Sequence, residues 1–390
     1  MSVLDYYKKN SFNPVPIKFA IKSNISNHYL KRINLLENHL KIHLPLLNNK
    51  NVLEFGCNGA ENACLLSEYG ANLYLVEPHK KIHKVIIANF NRIKKKNKLK
   101  LLSDNTLENF KTNKKFDLII AEGFLNTLKK RNFYFKKISK LLSPGGLLII
   151  NYDDIYGGFF EYLKSYFLIK LCKKLNIKPN SKESLKLAET LFKKEFDKLN
   201  KSRSLMAWWK DQLINPYASK TWSLLDLVKL ANTQKLTCNS TSPLFNDSNF
   251  FKWYKDANSY DFQFYNSNKL YCETWKKNFL NFFVGSNLKT KKEIDIKTLK
   301  SLKIFIKKMN LCLENKNLNK NLYIPKELKF FFINNGLKNY YKEINKLIEL
   351  LNSKSKNAEK IINYYRQSKK IKYTWGNLLH YVVFKKNLVL

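Results

Sequence analysis

From Asn51 onward, short apolar runs alternate with amphipathic segments, and this alternation constrains the fold more than any other feature of the chain. The first apolar run is NVLEF (51–55), and similar runs of strand length follow it. They are NLYLVEP (72–78), LKLLS (99–103), FDLIIAE (116–122) and LLIINY (147–152). Apolar residues at helical spacing lie between most of them. Because strands joined by helices pair in parallel, the pattern predicts an α/β fold with a mostly parallel sheet and helices on both faces.

A glycine-containing turn follows the first predicted strand. In VLEFGCNGAENACLL (52–66), the turn holds Gly56 and Gly59, and a helix begins near Glu61. Glycine lets the backbone approach a ligand closely, and a helix start presents unpaired N–H groups and the positive end of its dipole. The turn therefore predicts a binding site for a ribose or an anionic group.

Acidic residues stand at or just after the carboxyl ends of the predicted strands. They are Glu54, Glu77, Asp104, Glu122, Asp153 and Asp154. Each acid alone could be a solvated loop residue or a helix cap. Ligands of parallel α/β sheets bind beyond the carboxyl ends of the strands. The common edge of these acids therefore favours one ligand cleft.

Composition limits the classes of protein to which the chain can belong. Its 390 residues, 44% of them apolar, suffice for a large core and for two or three structural units. A net charge of +41 is typical of proteins that bind nucleic acid or anionic lipid. The excess, however, is lysine, and it accompanies heavy use of asparagine and isoleucine, all of which have A/T-rich codons. Genome composition is therefore a competing explanation for the charge.

The cysteines and the hydropathy of the chain predict the cellular compartment of the protein. Six cysteines occur without a CxxC pair, which indicates neither a disulfide framework nor a zinc site, and no other metal site is predicted. The start, MSVLDYYKKN, has no apolar signal core, and no run reaches the ~18 apolar residues of a membrane span. We therefore expect a reducing, cytoplasmic location.

The chain divides into four predicted segments. They are a helical lead-in (1–49), a ligand-binding core (50–154), a helical and aromatic insert on the substrate side (155–286) and a Lys-rich helical region (287–390). The lead-in contains a helical pattern from about Asn27 to His43. Residues 235–243 and 250–256 are expected to supply the last two strands of the sheet.

The insert begins with an amphipathic helix, FFEYLKSYFLIKLCKKL (159–175). Phe160, Leu163 and Phe167 share one side, and lysines occupy the other. This pattern favours a lid packed across the active site, with a helix lying on a membrane surface as the alternative.

Five motifs, spread over about a hundred residues, resemble those of the class I S-adenosylmethionine-dependent methyltransferases, in the order found in that family. They are EFGCNGA (54–60), VEP (76–78), SDN (103–105), FDLIIAEG (116–123) and LLSPGGLLII (141–150). The SPGG turn before an apolar strand is the most discriminating of them. The resemblance implies a Rossmann-like sheet with an added final antiparallel strand and S-adenosylmethionine as the cofactor.

The resemblance also implies roles for particular residues. The turn from Gly56 to Gly59 would pass under the methionine part of the cofactor, and Glu77 would bind the ribose hydroxyls. Asp104 would approach the adenine amino group, and Glu122 would line the methyl side. The neighbours assigned to the same cofactor site are Glu54, Cys57, Asn58, Pro78, Asn105 and Gly123. The chain departs from the commonest glycine pattern, because Asn58 and Ala60 stand where the second and third glycines often are.

Methyl transfer from a sulfonium requires alignment of the acceptor, exclusion of water and, for a hydroxyl acceptor, removal of a proton. Glu122, Asp153 and Asp154 are the predicted general bases, because burial in a cleft would raise their pKa values toward working pH. Tyr152 is expected to orient the acceptor, and His28 is a less favoured base.

The acceptor is predicted only by class. Methyltransferases that act on amino groups of bases carry an Asn/Asp-Pro-Pro-aromatic turn where this chain has AEGF (121–124), which argues against that substrate. A small-molecule or sugar O-methyltransferase is the leading prediction, and INPY, SP.F and WYKD loosely resemble enzymes found alongside bacterial surface-polysaccharide genes. An RNA methyltransferase is the alternative, and a catalytically inactive scaffold that binds an acidic partner is the alternative of another class.

Overall fold

The computed structural model describes residues 3–10, 21–199, 204–215, 221–245, 260–285, 293–311, 321–354 and 357–387. The chain forms two compact units, each built from separate stretches of sequence. The first, which we call the sheet unit, comprises Met1–Tyr152, Trp222–Trp275 and His380–Leu390. The second, the helical unit, comprises Asp153–Thr221 and Lys276–Leu379.

A single seven-stranded sheet organises the sheet unit, in the order β3-β2-β1-β4-β5-β7-β6. Its strands are β1 (Asn51–Phe55), β2 (Asn72–Val76), β3 (Leu99–Ser103), β4 (Phe116–Ala121), β5 (Leu142–Asp153), β6 (Leu236–Ser242) and β7 (Leu379–Lys386). Strands β1 to β5 pair in parallel, and β6 pairs antiparallel with β7. The predicted Rossmann-like α/β fold, with its parallel sheet and a final antiparallel strand, is confirmed.

The central strands are apolar along their length because they are covered on both faces. In β4, Leu118, Ile119 and Ile120 are all buried. A strand that meets helices on both sides has no polar face, so its sequence is a continuous apolar run rather than an alternating one.

Helices α1 to α5 and α9 lie within the sheet unit. Their bounds are α1 (Val3–Asn10), α2 (Lys22–Ile33), α3 (Glu61–Glu68), α4 (His83–Arg92), α5 (Arg131–Ser139) and α9 (Leu224–Asn232). The predicted lead-in helix is present but begins and ends earlier than 27–43, since α2 starts at Lys22 and a π-helical stretch, Asn34–His39, continues it. Leu36 and Leu40 join the same apolar core as Val52 of β1, as its helical spacing indicated.

The SPGG segment is part of a strand instead of the predicted turn. Strand β5 already begins at Leu142, which pairs with Phe116 of β4, whereas Leu147 pairs with Leu118. Residues 143–146 therefore form a bulge opposite a single residue. A Cβ atom at Gly146 would lie 2.9 Å from the carbonyl oxygen of Phe116, so glycine is required for this close approach.

The last strand of the sheet comes from the predicted Lys-rich helical segment, which the structure divides between the two units. Strand β6 falls within the predicted 235–243, but 250–256 lie outside the described residues. Its antiparallel partner is β7, with Ser242 opposite Tyr381. The sequence HYVVF supplies the β-branched and aromatic residues that a buried strand favours.

The helical unit contains α6 (Phe159–Lys174), α7 (Lys182–Asp197), α8 (Leu205–Trp208), α11 (Phe279–Phe283), α12 (Ile296–Leu311), α13 (Lys326–Asn334), α14 (Lys338–Asn352) and α15 (Ala358–Gln367). A further helix, α10 (Tyr260–Lys277), spans the boundary of the units in sequence. Every residue of α6 from Phe159 to Cys172 is buried, and Lys164 Nζ donates to the carbonyl oxygens of Thr374 and Ile371. The alternative of a membrane-surface helix at 159–175 is therefore wrong, because its apolar side chains are buried within the protein together with Lys164 and Lys170.

Among the residues that the structure describes, no helix is both long and apolar enough to span a membrane.

Candidate active site

The turn after β1 adopts the backbone conformation that its glycine predicts. Gly56 has φ +68°, its N–H donates to Val76 O at 2.8 Å, and a Cβ atom there would lie 3.2 Å from the Phe124 ring. Asn58 and Ala60 also have positive φ angles, +49° and +61°. The turn thus keeps a left-handed backbone at both positions where the chain departs from glycine.

Glu77 connects this turn to the next two strands. Its carboxylate is buried, with Oε2 accepting the Asn58 N–H at 3.0 Å and Oε1 accepting the His79 N–H at 2.9 Å. Its own N–H donates to Ser103 O at the end of β3. Since each carboxylate oxygen has two lone pairs, both oxygens keep one acceptor site after these bonds. Glu77 can therefore still accept the two hydroxyls of a ribose, while Pro78 beside it is half-buried.

Asp104 and Asn105 follow β3 in a more exposed position. Asp104 forms an ion pair with Lys80 Nζ at 2.8 Å, and this hydrogen bond lowers the pKa of the carboxyl group. The Asn105 side-chain amide donates to Ser103 Oγ at 2.9 Å. Their predicted contact with the adenine amino group stays a prediction, and Asp104 would have to share its oxygens with Lys80 to make it.

Glu122 is paired with an arginine that the sequence analysis did not single out. Arg32, on α2, is buried and donates from Nη1 to Glu122 Oε2 at 3.0 Å and from Nη2 to Oε1. Such a bidentate pair requires a guanidinium, which lysine cannot replace. Arg32 is one of five arginines in a chain that otherwise uses lysine, and that scarcity was the available signal.

Glu54, at the end of β1, is the most perturbed acid of this group. Burial raises the pKa of its carboxyl group to about 8, and the charge of nearby Glu122 adds to the rise. Its Oε2 is buried and has no hydrogen-bond partner among the residues that the structure describes. Burial likewise raises the pKa of the Cys57 thiol, which makes that group a packing residue and not a nucleophile.

The predicted acceptor-side residues occupy different units. Tyr152 is buried on β5 in the sheet unit, with its ring edge-on to His380 at 5.8 Å. Asp153 and Asp154 belong to the helical unit, where Asp154 Oδ1 accepts the N–H groups of Tyr156 and Gly157 at 2.9 and 2.8 Å. Asp154 thus stabilises the turn that precedes α6. The catalytic roles of all three stay predictions.

His28 lies near the Arg32–Glu122 pair. Its Nε2 is 3.2 Å from Asn62 Oδ1, and burial, together with the positive charge of Arg32, lowers the pKa of the imidazole. A neutral imidazole at physiological pH is compatible with its predicted, less favoured role as a base.

A parallel sheet with a glycine turn after its first strand, and with buried Glu54 and Glu77 at the ends of two strands, is typical of nucleoside-binding α/β domains. The family model described as "Methyltransferase domain" matches residues 27–223, half of the chain. The chain belongs to this family, which confirms the predicted class, an S-adenosylmethionine-dependent methyltransferase domain. What the whole protein methylates is a separate question.

Individual relatives match between one third and two thirds of the chain. A ubiquinone biosynthesis O-methyltransferase from Pelagibacter ubique (strain HTCC1062) is 31% identical over 142 residues, which are 36% of this chain and 53% of that protein. The chain thus spans about half the length of this relative. Among solved structures, PKMT2 from Rickettsia typhi is 17% identical, with 65% of this chain and 50% of that chain covered and a TM-score of 0.42. The N-methyltransferase NodS from Bradyrhizobium japonicum WM9 is also 17% identical, with 33% and 62% covered and a TM-score of 0.26.

The residues of the sheet unit fit the polar groups of S-adenosylmethionine. Its amino-acid end carries an ammonium and a carboxylate, and its ribose carries two hydroxyls. Glu54 Oε2 is a buried acceptor, and Arg32 Nε is a buried donor, each lacking a hydrogen-bond partner in the described part of the chain. A Cβ atom at Gly123, where φ is +75°, would meet nothing within 4 Å, so space is open beside β4. A buried oxygen and a buried N–H group that lack partners are what the polar groups of a bound ligand would complete.

Proposed function

We propose that the protein transfers the methyl group of S-adenosylmethionine to a hydroxyl oxygen of a small-molecule acceptor. The observation that supports this most directly is the group of polar side chains in the sheet unit formed by buried Glu54, Glu77 and Arg32, with half-buried Glu122 as the partner of Arg32. Glu54 Oε2 and Arg32 Nε are a buried acceptor and a buried donor that a bound ligand would satisfy. Their presence also argues against an inactive scaffold.

In this proposal Glu77 binds the ribose, and Glu122 and Arg32 bind the ammonium and the carboxylate of the cofactor. Because Arg32 donates to both oxygens of Glu122 and fixes its orientation, this proposal assigns Glu122 to cofactor binding and not to proton removal. The cofactor supplies the activated methyl group. Proton removal from the acceptor is left to Asp153 or Asp154, with Tyr152 orienting the hydroxyl.

The relative from Pelagibacter supports oxygen as the methylated atom, since that protein is an O-methyltransferase. Its name suggests an acceptor of ubiquinone biosynthesis, against which we test phenols, and the sequence motifs suggest a saccharide hydroxyl. RNA remains the second candidate because of the net charge of +41.

Calorimetric titration with S-adenosylmethionine and with S-adenosylhomocysteine tests the cofactor, with NADH as the control ligand. The Glu77→Ala variant should lose binding, because two backbone N–H groups and the ribose share that carboxylate. Glu68→Ala, an exposed acid on α3, is the matched control and should bind as the wild type does. A folded wild type that binds neither cofactor would overturn the proposal.

Transfer of a radiolabelled methyl group tests the acceptor, with phenols, saccharides and RNA offered separately. Labelling of phenols or saccharides, reduced in Asp153→Asn or Asp154→Asn, supports the proposal. Labelling of RNA alone replaces it with the second candidate, and that activity should fall steeply as salt rises.

A further inference from the structure

An exposed apolar stripe runs along α12 in the helical unit. Ile296 is 63% exposed and Ile304 is 55% exposed, and Leu311 is exposed as well. At 100° per residue these three side chains lie within one quarter of the helix circumference. The opposite side of α12 is buried through Leu299, Leu302, Phe305, Ile306 and Met309.

A second exposed stripe lies on α13. Phe330 is 59% exposed and Ile333 is also exposed, whereas Phe331 and Phe332 between them are buried. Phe331 packs edge-on against the Phe279 ring at 5.6 Å, which fixes the rotation of α13. Because the buried side of α13 is fixed, Phe330 and Ile333 are held away from the core.

The helices that carry the two stripes are neighbours. Helices α12 and α13 pack against each other, and Lys297 Nζ of α12 is 3.5 Å from Glu327 Oε1 of α13. At 100° per residue, each of these two residues lies beside the exposed stripe of its own helix. We call the combined surface the α12–α13 face, and its apolar members are Ile296, Ile304, Leu311, Phe330 and Ile333.

Lysines surround and interrupt these apolar side chains. They are Lys297, Lys300, Lys303, Lys307 and Lys308 on α12 and Lys326 and Lys329 on α13. Of the nearby acids, Asp295 accepts the Thr298 N–H at 2.7 Å at the start of α12, and Glu327 is paired with Lys297. The α12–α13 face is therefore strongly positive and apolar at once.

We propose that the α12–α13 face docks on an anionic lipid surface. Lysine ammonium groups attract acidic headgroups, while exposed isoleucine, leucine and phenylalanine side chains enter the boundary between headgroups and acyl chains. A nucleic acid fits less well, because aliphatic side chains gain nothing from phosphates. The sequence also has no arginine between Arg203 and Arg366, and arginine is a common stacking and phosphate-binding residue in RNA recognition.

Sedimentation of the full chain with lipid vesicles tests this docking. The vesicles are either pure phosphatidylcholine or phosphatidylcholine with phosphatidylglycerol, and we expect binding to the anionic vesicles alone. The double variant Phe330→Ser/Ile333→Ser should weaken that binding at least about tenfold, since exposed apolar groups would otherwise leave water. Its matched control, Phe133→Ser, alters an exposed phenylalanine on α5 of the sheet unit and should bind as the wild type does.

A second set of variants tests the lysines. Lys300→Gln/Lys307→Gln/Lys329→Gln should weaken binding by about a hundredfold, because each lysine near an anionic surface contributes about a factor of five. Lys182→Gln/Lys186→Gln/Lys194→Gln removes the same charge from exposed positions on α7 and is the control. Near-UV circular dichroism confirms that each variant is folded.

Three results would overturn the proposal. They are failure of the wild type to bind anionic vesicles, equal loss in the α7 control, and undiminished binding by the Phe330→Ser/Ile333→Ser variant. Tight binding of a single-stranded RNA that displaces the vesicles, unaffected by the same double variant, would also replace lipid with nucleic acid. Because vesicle binding needs no cofactor, its outcome is independent of the proposed methyl transfer.

Discussion

Replacing Glu54 with glutamine should make the protein more stable at alkaline pH and leave it nearly unchanged in acid. Glu54 is buried, and its pKa is raised from 4.5 to about 8. Below pH 4.5 the carboxyl group is protonated in both the folded and the unfolded chain, so it adds no dependence on pH. Between pH 4.5 and 8 the unfolded chain ionises first, and the free energy of unfolding of the wild type falls.

The size of this fall follows from the rise in pKa. One pKa unit corresponds to about 1.4 kcal/mol, so a rise from 4.5 to about 8 corresponds to about 5 kcal/mol as an upper value. Because glutamine cannot ionise, the free energy of unfolding of Glu54→Gln does not fall in this way. The stability difference between variant and wild type should therefore grow by a few kcal/mol from pH 4.5 to pH 8.

Urea unfolding at pH 4.5, 6 and 8 measures this difference. Glu68→Gln, which removes an exposed carboxylate on the neighbouring helix α3, is the control and should show no such growth. A Glu54→Gln variant whose stability relative to the wild type is the same at all three pH values would show that the Glu54 carboxyl group titrates normally, and would contradict this prediction.

Three further substitutions test the packing of the sheet unit. Arg32→Met should destabilise the fold by about 1–3 kcal/mol in urea unfolding, because it leaves half-buried Glu122 without its cation. Gly56→Ala should cost about 1–3 kcal/mol, because φ is +68° and the added Cβ would press on the Phe124 ring. Phe384→Ala should cost about 3–5 kcal/mol by thermal unfolding, since it leaves a cavity at a fully buried position of β7.

Each of these substitutions has a control elsewhere in the chain. Removal of the exposed Lys193–Asp197 ion pair should cost no more than about 0.5 kcal/mol. Gly336 also has a positive φ, +75°, but an added Cβ atom there would meet nothing within 4 Å. Gly336→Ala should therefore reduce the free energy of unfolding by less than Gly56→Ala does. Leu379→Ala, half-exposed at the start of β7, should change stability by less than about 0.5 kcal/mol. If a substitution and its control lower the free energy of unfolding equally, the contact named for that substitution is not the cause of its effect.

The parallel part of the sheet was predictable because its information is local. Strands β1 and β3 begin and end at the predicted residues, since apolar runs bounded by polar residues and glycine define them over five positions. The SPGG segment misled the prediction for the same reason. Proline and glycine usually mark a turn, and only the register with Phe116 and Leu118 shows that they form a bulge here.

Features that depend on distant pairs could not be predicted. Arg32 and Glu122 are 90 positions apart, and no local pattern on α2 distinguishes a paired arginine from a solvated one. The spacing of the lysines of α6 indicated a polar side of the helix. Lys164 is nevertheless buried, because its ammonium group donates hydrogen bonds to carbonyl oxygens of residues more than 200 positions later in the chain. The spacing of residues in a sequence shows which side chains are polar. It does not show the hydrogen-bond partner, distant in sequence, that allows a polar side chain to be buried.

The position of β7 between β5 and β6 determines when the sheet can be completed during synthesis of the chain. The Asn151 side chain on β5 bonds to the backbone of His380, 229 residues later, and the whole helical unit is encoded between them. When β6 has just emerged from the ribosome, the edges of β5 and β6 that will pair with β7 are therefore still open. They remain unpaired until the rest of the chain has emerged. Fragments that stop before residue 379 should accordingly aggregate when expressed, and only translation through β7 allows the sheet to close in the right register.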